Sequence, residues 1–246
     1  MISSLKQRAK YFLSHMRGLA RFGRASFGIH KRECNVCGNH GKFFSFGVPP
    51  RLDARCPSCG SLERHRLFAL LLARERIVDG CDVLQFAPEL GLAKYVRSRP
   101  VRSYLSADLF KFADLQLDIE DMKLADGQFD VIICSHVLEH VNDRKALKEI
   151  RRVLRSGGVA LIMNPIIEGW DQTYENPAII SESDRLLHFG QEDHVRFYGR
   201  DFRERILMAG LTLTEFTAVE PDVARYGLMR GEKVFICRKS AAPHQG

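Results

Sequence analysis

Short apolar segments alternate with helical segments from residue 82 onward, and this alternation constrains the fold more than any other feature. The strand candidates are 82–87, 103–107, 114–118, 129–134 and 158–163. A helix is predicted over 143–155, with its apolar side chains at helical spacing. Strands this short and apolar are typical of a parallel sheet covered by helices on both faces. We therefore predict a doubly wound α/β domain, closed by an antiparallel pair over 211–218 and 232–238.

Polar residues follow several of these strands, at the edge where ligands bind in doubly wound sheets. The first strand enters the turn 87–91 (APELG), which has one glycine where a nucleotide-binding turn usually has several. Asp108 follows the second strand, at the offset where a carboxylate commonly accepts from a ribose diol. Asp118 follows the third strand and Ser135-His136 the fourth. A strand-end Asp is also a common helix cap, so the prediction depends on their occurring together.

Four of the seven cysteines form two close pairs, Cys34-x2-Cys37 and Cys56-x2-Cys59, with eighteen residues between them. The two thiolates of each pair can reach the same ion from a tight turn, and a glycine follows each pair. Two such pairs predict a tetrahedral four-sulfur zinc site, which is structural because it has no open position. An iron site of the rubredoxin type and unligated thiols are the alternatives.

The positive charge of the chain is concentrated near its N-terminus. Residues 1–32 hold eight Lys or Arg and no acid, whereas 33–246 hold 29 basic and 30 acidic residues. Residues 1–24 have helical periodicity, with basic residues beside the apolar face. Such an arm suits an anionic membrane surface or RNA phosphates, or it packs on its own body or a second subunit. An organelle transit peptide is a further interpretation.

The hydropathy pattern bounds the location. No segment approaches the ~18–20 apolar residues of a membrane span, and the N-terminus lacks the apolar region of a signal peptide. We therefore expect a cytoplasmic protein, peripheral at the membrane if the arm binds lipid. The near-neutral body argues against a broad surface that follows phosphates.

The stretch FDVIICSHVLEHVNDRKALKEIRRVLRSGGVALIMNP (129–165) resembles the class I S-adenosylmethionine-dependent methyltransferases. The resemblance covers about residues 82–238 and implies a seven-stranded, mostly parallel Rossmann-like sheet with its last strand antiparallel. It divides the chain into a basic amphipathic arm (1–32), a small zinc ribbon (33–60) and a class I methyltransferase domain (61–246). The cysteine module and the FAPE turn are similar to a bacterial subgroup of that family.

The resemblance also implies a cofactor site. The expected cofactor-binding residues are Phe86, Ala87, Glu89, Gly91, Asp108, Leu109, Asp118, Ile119 and Ser135. The family's first loop usually reads acid, hydrophobic, Gly-x-Gly-x-Gly, and two of its three glycines and the leading acid are missing here. We expect Glu89 to take the ammonium group that this acid serves. Asp108 then takes the ribose, and Asp118 takes the adenine amino group with Ile119 packing on the ring. Ser135 and His136 line the methyl and methionine end.

The activity implied by the resemblance is SN2 transfer of a methyl group to a small-molecule acceptor or to a glycan- or lipid-linked one. A general base is needed only for a protonated nucleophile. The candidates for this base are His136, Glu139, His140 and the pair Asp193-His194. Arg196 alternates with His194 and Tyr198, and it is a candidate for binding an acidic group of the substrate. The alternatives are an RNA methyltransferase that uses the ribbon and the arm, and a non-catalytic zinc-ribbon scaffold with a degenerate cofactor fold.

Overall fold

The computed structural model of the chain describes residues 27–47, 49–110 and 113–241. The chain divides into two compact units. The first holds residues up to Leu70 together with Ala218–Glu232, and the second holds Leu71–Thr217 and the residues from Lys233 onward. The amphipathic helix predicted over 1–24 lies outside the described residues.

The described residues form strands and helices with the following bounds. The strands are β1 (Phe27–Glu33), β2 (His40–Phe46), β3 (Arg51–Arg55), β4 (Asp82–Phe86), β5 (Ser103–Asp108), β6 (Leu115–Gln116), β7 (Phe129–Ser135), β8 (Leu154–Met163), β9 (Tyr174–Glu175), β10 (Arg196–Phe197), β11 (Thr212–Thr217) and β12 (Lys233–Arg238). The helices are α1 (Glu63–Glu75), α2 (Leu90–Arg97), α3 (Asp143–Val153), α4 (Glu182–Phe189), α5 (Phe202–Met208) and α6 (Asp222–Tyr226), and a 3₁₀ turn covers Leu138–His140. No described helix has the length and apolarity that crossing a membrane requires.

In the first unit, β1, β2 and β3 form an antiparallel sheet in that order. Each cysteine pair begins directly after a strand, one after β1 and one after β3. The Gly38 amide donates to the Cys34 carbonyl at 2.7 Å, and the Gly60 amide donates to the Cys56 carbonyl at 3.0 Å. Both glycines have a left-handed backbone, with φ of +76° and +72°, which a glycine adopts without steric cost. The two turns therefore have the same geometry.

The segment between β11 and β12 belongs to this same unit, although it is distant in sequence. Arg66 connects its two parts. The fully buried guanidinium of Arg66 donates to the Tyr226 carbonyl at 2.6 Å and to the Gly227 carbonyl at 2.9 Å. It also donates to the Ala54 and Ser61 carbonyls at 3.0 and 2.8 Å. Hydrogen bonds to a buried charge are the condition for burying it at all.

The second unit is built on a seven-stranded sheet with the order β11-β12-β8-β7-β4-β5-β6. Its strands pair in parallel except β12, which is antiparallel to both β8 and β11. This confirms the predicted mostly parallel sheet with an antiparallel last strand. The strand predicted over 114–118 is shorter than expected, at two residues. The helix predicted to reach residue 155 ends at Val153, because Leu154 already pairs with Phe129 in the sheet.

The core of the second unit lies around its central strands. From Val131 to Ser135 every residue of β7 is buried, as is every residue of β8 from Val159 to Met163. Helix α3 adds Ala146, Leu147, Ile150 and Val153 to the same apolar cluster, as its periodicity predicts. Because β4 to β7 run parallel, their carboxyl ends meet at one edge of the sheet.

Candidate active site

The turn after β4 replaces the expected glycines with a left-handed alanine. Ala87 has a φ of +44°, and its amide donates to the Ala107 carbonyl of β5 at 2.9 Å. Helix α2 begins three residues later, and the Glu89 carbonyl accepts from the Ala93 amide at 2.9 Å. The Glu89 side chain does not cap this helix. Alanine has the smallest side chain that can occupy such a position, so the backbone remains open to a close ligand.

Gln85 occupies the position of the family's leading acid, and its side chain is committed within the sheet. The Tyr104 hydroxyl donates to the Gln85 Oε1 at 2.9 Å, and Gln85 is buried. Burial raises the pKa of Tyr104 to about 12, so the phenol stays a neutral donor. Gln85 therefore does not replace the family's leading acid, and Glu89 is the acid present in the turn.

Asp108 and Asp118 each stabilise the loop that follows them. The Asp108 Oδ1 accepts from the Phe110 amide at 2.9 Å, and the Asp118 Oδ1 accepts from the Glu120 amide at 2.8 Å. Each carboxylate thus closes an Asx turn through one oxygen. Among the described residues the second oxygen of each has no hydrogen-bond donor, which fits a role in binding a ligand hydroxyl or amino group.

The apolar neighbours of these two acids differ in exposure. Leu109 is 55% exposed, whereas Ile119 is 5% exposed and belongs to the apolar core of the second unit. The Leu109 side chain is consequently accessible to a ligand. Ile119 can contact a ligand only through the small part of its surface that the core leaves open.

Two buried polar atoms without hydrogen-bond partners lie at the end of β7. Ser135 is buried and its Oγ has no hydrogen bond, and the same holds for the Nε2 of His136. His136 has a φ of +54°, and its Nδ1 lies 3.2 Å from Oε1 of the buried Glu139. A buried polar atom without a partner costs about 1–3 kcal/mol, so this edge is suited to a polar ligand.

Glu139 also lies beside a pair of imidazoles. The Val195 amide donates to the Glu139 carbonyl at 3.0 Å, which brings His194 against the 3₁₀ turn. The rings of His140 and His194 are 4.6 Å apart in an edge-to-face arrangement. Burial lowers the pKa of His194, and the neighbouring His140 lowers it further.

Arg196 and Tyr198 both support the 3₁₀ turn through hydrogen bonds to its backbone. Arg196 donates to the Leu138 carbonyl at 2.7 Å and to Glu175 Oε2 at 2.9 Å. The Tyr198 hydroxyl donates to the same Leu138 carbonyl at 2.9 Å. Arg196 is buried and its Nε and Nη1 donate within the protein, so these two nitrogens are committed to Glu175 and to main-chain carbonyls.

Asn164 is a site residue that the sequence reading missed. It is buried directly after β8, at the same edge of the sheet. In the amide orientation that satisfies its hydrogen bonds, it donates to Glu139 Oε2 at 3.2 Å and to the Met163 carbonyl at 2.8 Å. Its position in the sequence is a signal of such a role, since Asn164 is a polar residue that directly follows a predicted strand.

A cavity of about 510 Å³ borders this region. Its lining includes His140, Glu175, Pro177, Ile180, Arg185 and Val195. Apolar and charged side chains both face it, which is typical of sites for small ligands.

The four paired cysteines converge in the first unit. Their Sγ atoms all lie within 4.8 Å of one another, with Cys34–Cys59 at 3.6 Å and Cys37–Cys56 at 3.8 Å. Four sulfurs at about 2.3 Å from a tetrahedral zinc ion would be about 3.8 Å apart. A disulfide would instead bring two sulfurs to about 2.05 Å. The donor set therefore fits a tetrahedral metal ion.

The charge around the cysteines agrees with this fit. Burial raises the pKa of the Cys34 thiol to about 12, so its ionisation at neutral pH requires a compensating cation. Burial lowers the pKa of Arg66, and the charges of Glu63 and of the cysteine thiolates oppose that shift. A zinc ion with four thiolates carries a net negative charge, which the buried guanidinium would balance.

Comparison with known proteins identifies the second unit. A family model described as a methyltransferase domain matches residues 68–162. This segment resembles a methyltransferase domain. Human thiol S-methyltransferase TMT1B is 36% identical to this chain over an alignment of 106 positions, which covers 39% of this chain and 42% of the human protein. The matched segment thus spans less than half of that relative.

Solved structures have the same fold as the methyltransferase domain at lower identity. An S-adenosylmethionine-dependent methyltransferase from Mesorhizobium loti is similar at a TM-score of 0.51 and 13% identity, over 70% of this chain and 97% of its own. The [4+2]-cyclase SpnF is similar at a TM-score of 0.52 and 13% identity, over 72% of this chain and 81% of its own. At such identities the likeness extends to the fold alone, and it confirms the predicted Rossmann-like sheet of the methyltransferase domain.

Proposed function

We propose that this protein transfers the methyl group of S-adenosylmethionine to a small-molecule acceptor, free or as part of a glycan or lipid. The observation that carries the proposal is the convergence of strand-end groups at one edge of the sheet. Four neighbouring strand ends contribute: the left-handed turn at Ala87, the carboxylates of Asp108 and Asp118, and the Ser135 Oγ. Each carboxylate has one oxygen without a donor among the described residues, and the Ser135 Oγ has no hydrogen-bond partner.

The cofactor contacts follow from these positions. Asp108 accepts from the ribose hydroxyls and Asp118 accepts from the adenine amino group, each through the oxygen that its Asx turn leaves unused. Leu109 covers one side of the adenosine, and the turn at Phe86, Ala87 and Gly91 admits the methionine portion. Glu89 takes the ammonium group, and Ser135 takes a polar atom at the methyl end.

The chemistry requires little of the protein beyond alignment and the removal of a proton. When bound, S-adenosylmethionine supplies an electrophilic methyl group on a sulfonium. For a protonated acceptor, the unpartnered Nε2 of His136 would take the proton of the nucleophile. Glu139 accepts from the Nδ1 of the same ring, which keeps the lone pair on Nε2. His136 is then the catalytic base, and Glu139 and Asn164 are positioning residues.

The acceptor class rests on size and charge. The cavity of about 510 Å³ beside His140 suits a small molecule or one sugar or lipid-linked group. The near balance of acids and bases in residues 33–246 does not favour a long nucleic acid. The relative from Homo sapiens is named for thiol acceptors, so thiols belong with phenols and sugar hydroxyls in any acceptor panel.

We also propose that Cys34, Cys37, Cys56 and Cys59 hold one structural zinc ion. The sulfur separations and the buried Arg66 support it. Four protein ligands leave no position for substrate, so this ion stabilises the first unit and takes no part in methyl transfer.

The deciding experiment measures S-adenosylhomocysteine formed from S-adenosylmethionine with thiols, phenols, saccharides and bulk RNA as acceptors. We expect turnover with a small acceptor and a rise in melting temperature with cofactor alone. Turnover with RNA alone would contradict the small-molecule acceptor and support an RNA methyltransferase. Absence of cofactor binding would contradict methyl transfer and support a non-catalytic zinc-ribbon scaffold. Methyl transfer itself must be measured, because the same fold also occurs in a cyclase.

A further inference from the structure

Glu139, His140 and His194 form a second group of metal-binding side chains, separate from the cysteines. One ligand atom from each residue lies within 4.8 Å of the other two. Glu139 and His194 are 1% and 5% exposed, and His140 is partly exposed. A carboxylate and two imidazoles therefore meet at a largely buried point next to the end of β7.

The backbone holds this group together. Glu139 and His140 are consecutive in the 3₁₀ turn, and the Val195 amide donates to the Glu139 carbonyl. Arg196 adds a hydrogen bond to the Leu138 carbonyl. The backbone segments that carry the three side chains are thus held together by one main-chain hydrogen bond and by one from the Arg196 guanidinium.

Two observations at the imidazoles indicate a ligand. The Nδ1 of His194 is buried and has no hydrogen-bond partner. The Nδ1 of His140 lies 3.3 Å from the Asp193 carbonyl oxygen and 3.2 Å from its carboxylate. Metal-bound histidines typically donate from one nitrogen to a carbonyl or carboxylate and bind the ion through the other.

We infer that Glu139, His140 and His194 bind a first-row divalent cation such as Zn²⁺ or Fe²⁺. Two imidazoles and one carboxylate are the ligands of catalytic zinc sites and of non-haem iron sites, whereas Mg²⁺ and Ca²⁺ prefer oxygen. Three protein ligands leave coordination positions open. His140 and Val195 line the cavity of about 510 Å³, so a ligand on the cation would be held at its wall.

An acceptor with an oxygen or sulfur nucleophile is the natural occupant of the open position. Coordination lowers the pKa of a bound hydroxyl or thiol, and the cation fixes the nucleophile in place. The acceptor part of this inference rests on the proposed methyl transfer. The binding of the cation does not, and it can be measured without cofactor or acceptor.

The test uses tag-free protein whose cysteine cluster has been filled with zinc. Calorimetric titration with Zn²⁺ and visible absorption during titration with Co²⁺ both count further binding sites. We expect one additional equivalent per chain. His140→Gln and His194→Gln weaken it by on the order of 100-fold. His188→Gln, which changes an exposed histidine of the same unit, leaves it unchanged.

Retention of the cysteine-bound zinc and of the circular dichroism spectrum shows that a variant is folded. His140→Gln is the safer variant, since the His140 side chain is 27% exposed. Absence of a further equivalent in the wild-type protein overturns the inference, as does binding that neither variant weakens. Cation binding without methyl transfer would support the cation site and contradict the proposed methyl transfer.

Discussion

Ala87 and His136 leave adjacent parallel strands with the same left-handed backbone, at φ of +44° and +54°. Phe86 pairs with Cys134, so the two departures lie side by side at the carboxyl edge. Non-glycine residues in this region cost on the order of 1–3 kcal/mol each. The candidate active site is therefore a place where the backbone of the methyltransferase domain is strained.

Ala87→Gly removes the strained Cβ. The relief is offset by the greater freedom of glycine in the unfolded chain, which costs about 0.5–1 kcal/mol. We expect the free energy of unfolding in urea to stay the same or to rise by about 1 kcal/mol, with cofactor binding retained. Ala93→Gly within α2 is the matched control and should lose about 1 kcal/mol. Equal losses in the two variants would mean that Ala87 is unstrained.

Asp118→Asn keeps an oxygen for the Glu120 amide and removes the charge. If Asp118 accepts from the adenine amino group, the loss of a charged hydrogen bond should weaken S-adenosylmethionine binding about 10- to 100-fold. Isothermal titration measures this affinity. Asp121→Asn changes another exposed acid of the same loop and should bind normally. Unchanged affinity in Asp118→Asn would take Asp118 out of the cofactor site.

His136→Gln tests the proposed base. With a hydroxyl acceptor we expect kcat to fall by about 10²- to 10⁴-fold, while cofactor affinity stays near its original value. With a thiol acceptor the fall should be smaller, because a thiol ionises near pH ~8.5 without assistance. A hydroxyl acceptor that is methylated at an unchanged rate would exclude His136 as the base.

Cys37→Ser tests the structural zinc. Cys37 is exposed, so serine fits its position, but one thiolate is lost from the cluster. We expect the cysteine-bound zinc, measured by elemental analysis, to be lost and the first unit to lose stability. Cys81→Ser, which lies outside the cluster, should retain the metal. Full retention in Cys37→Ser would contradict the four-thiolate site.

Glu149 should govern part of the acid stability of the second unit. Its carboxylate accepts from the Met122 amide at 2.8 Å and from Arg152 Nε at 2.7 Å, and the Arg152 hydrogen bond lowers the pKa of Glu149. A lowered pKa stabilises the fold above the unfolded value of about 4.3, and that stabilisation is lost as the pH falls through the folded value.

Glu149→Gln should thus lower the free energy of unfolding by about 1–2 kcal/mol at pH 7. The difference from the wild type should stay constant down to about pH 5 and shrink below about pH 4. Urea titrations across this range measure it. The exposed Glu182 provides the control variant Glu182→Gln. A difference that persists at low pH would mean that packing is responsible and not the charge.

The sequence predicts the parts of this molecule that depend on local pattern. The β7–α3–β8 segment has strong periodicity, and its predicted boundaries lie within two residues of the observed ones except at the start of β8, which lies four residues before the predicted residue 158. The cysteine spacing predicted a cluster because two close pairs have few other uses in one short module. Polar residues at strand ends were found because parallel strands bring their carboxyl ends together.

Long-range contacts and backbone conformation were beyond sequence reading. An alanine carries no signal for a left-handed φ, so the strain at Ala87 could not be foreseen. The sequence around Arg196 does not indicate that its guanidinium donates to Glu175 and to the Leu138 carbonyl. His194 was a candidate base, yet its place beside His140 depends on tertiary folding and not on spacing.

The hydrogen bond from Arg66 to the Tyr226 carbonyl joins residues 160 positions apart. Ribosomal synthesis makes Arg66 early, and the carbonyls of Tyr226 and Gly227 emerge only when most of the chain exists. Until then the guanidinium lacks two of its four backbone acceptors. The cysteine-bearing unit consequently cannot complete the hydrogen bonds of Arg66 until residues 226 and 227 have been synthesised.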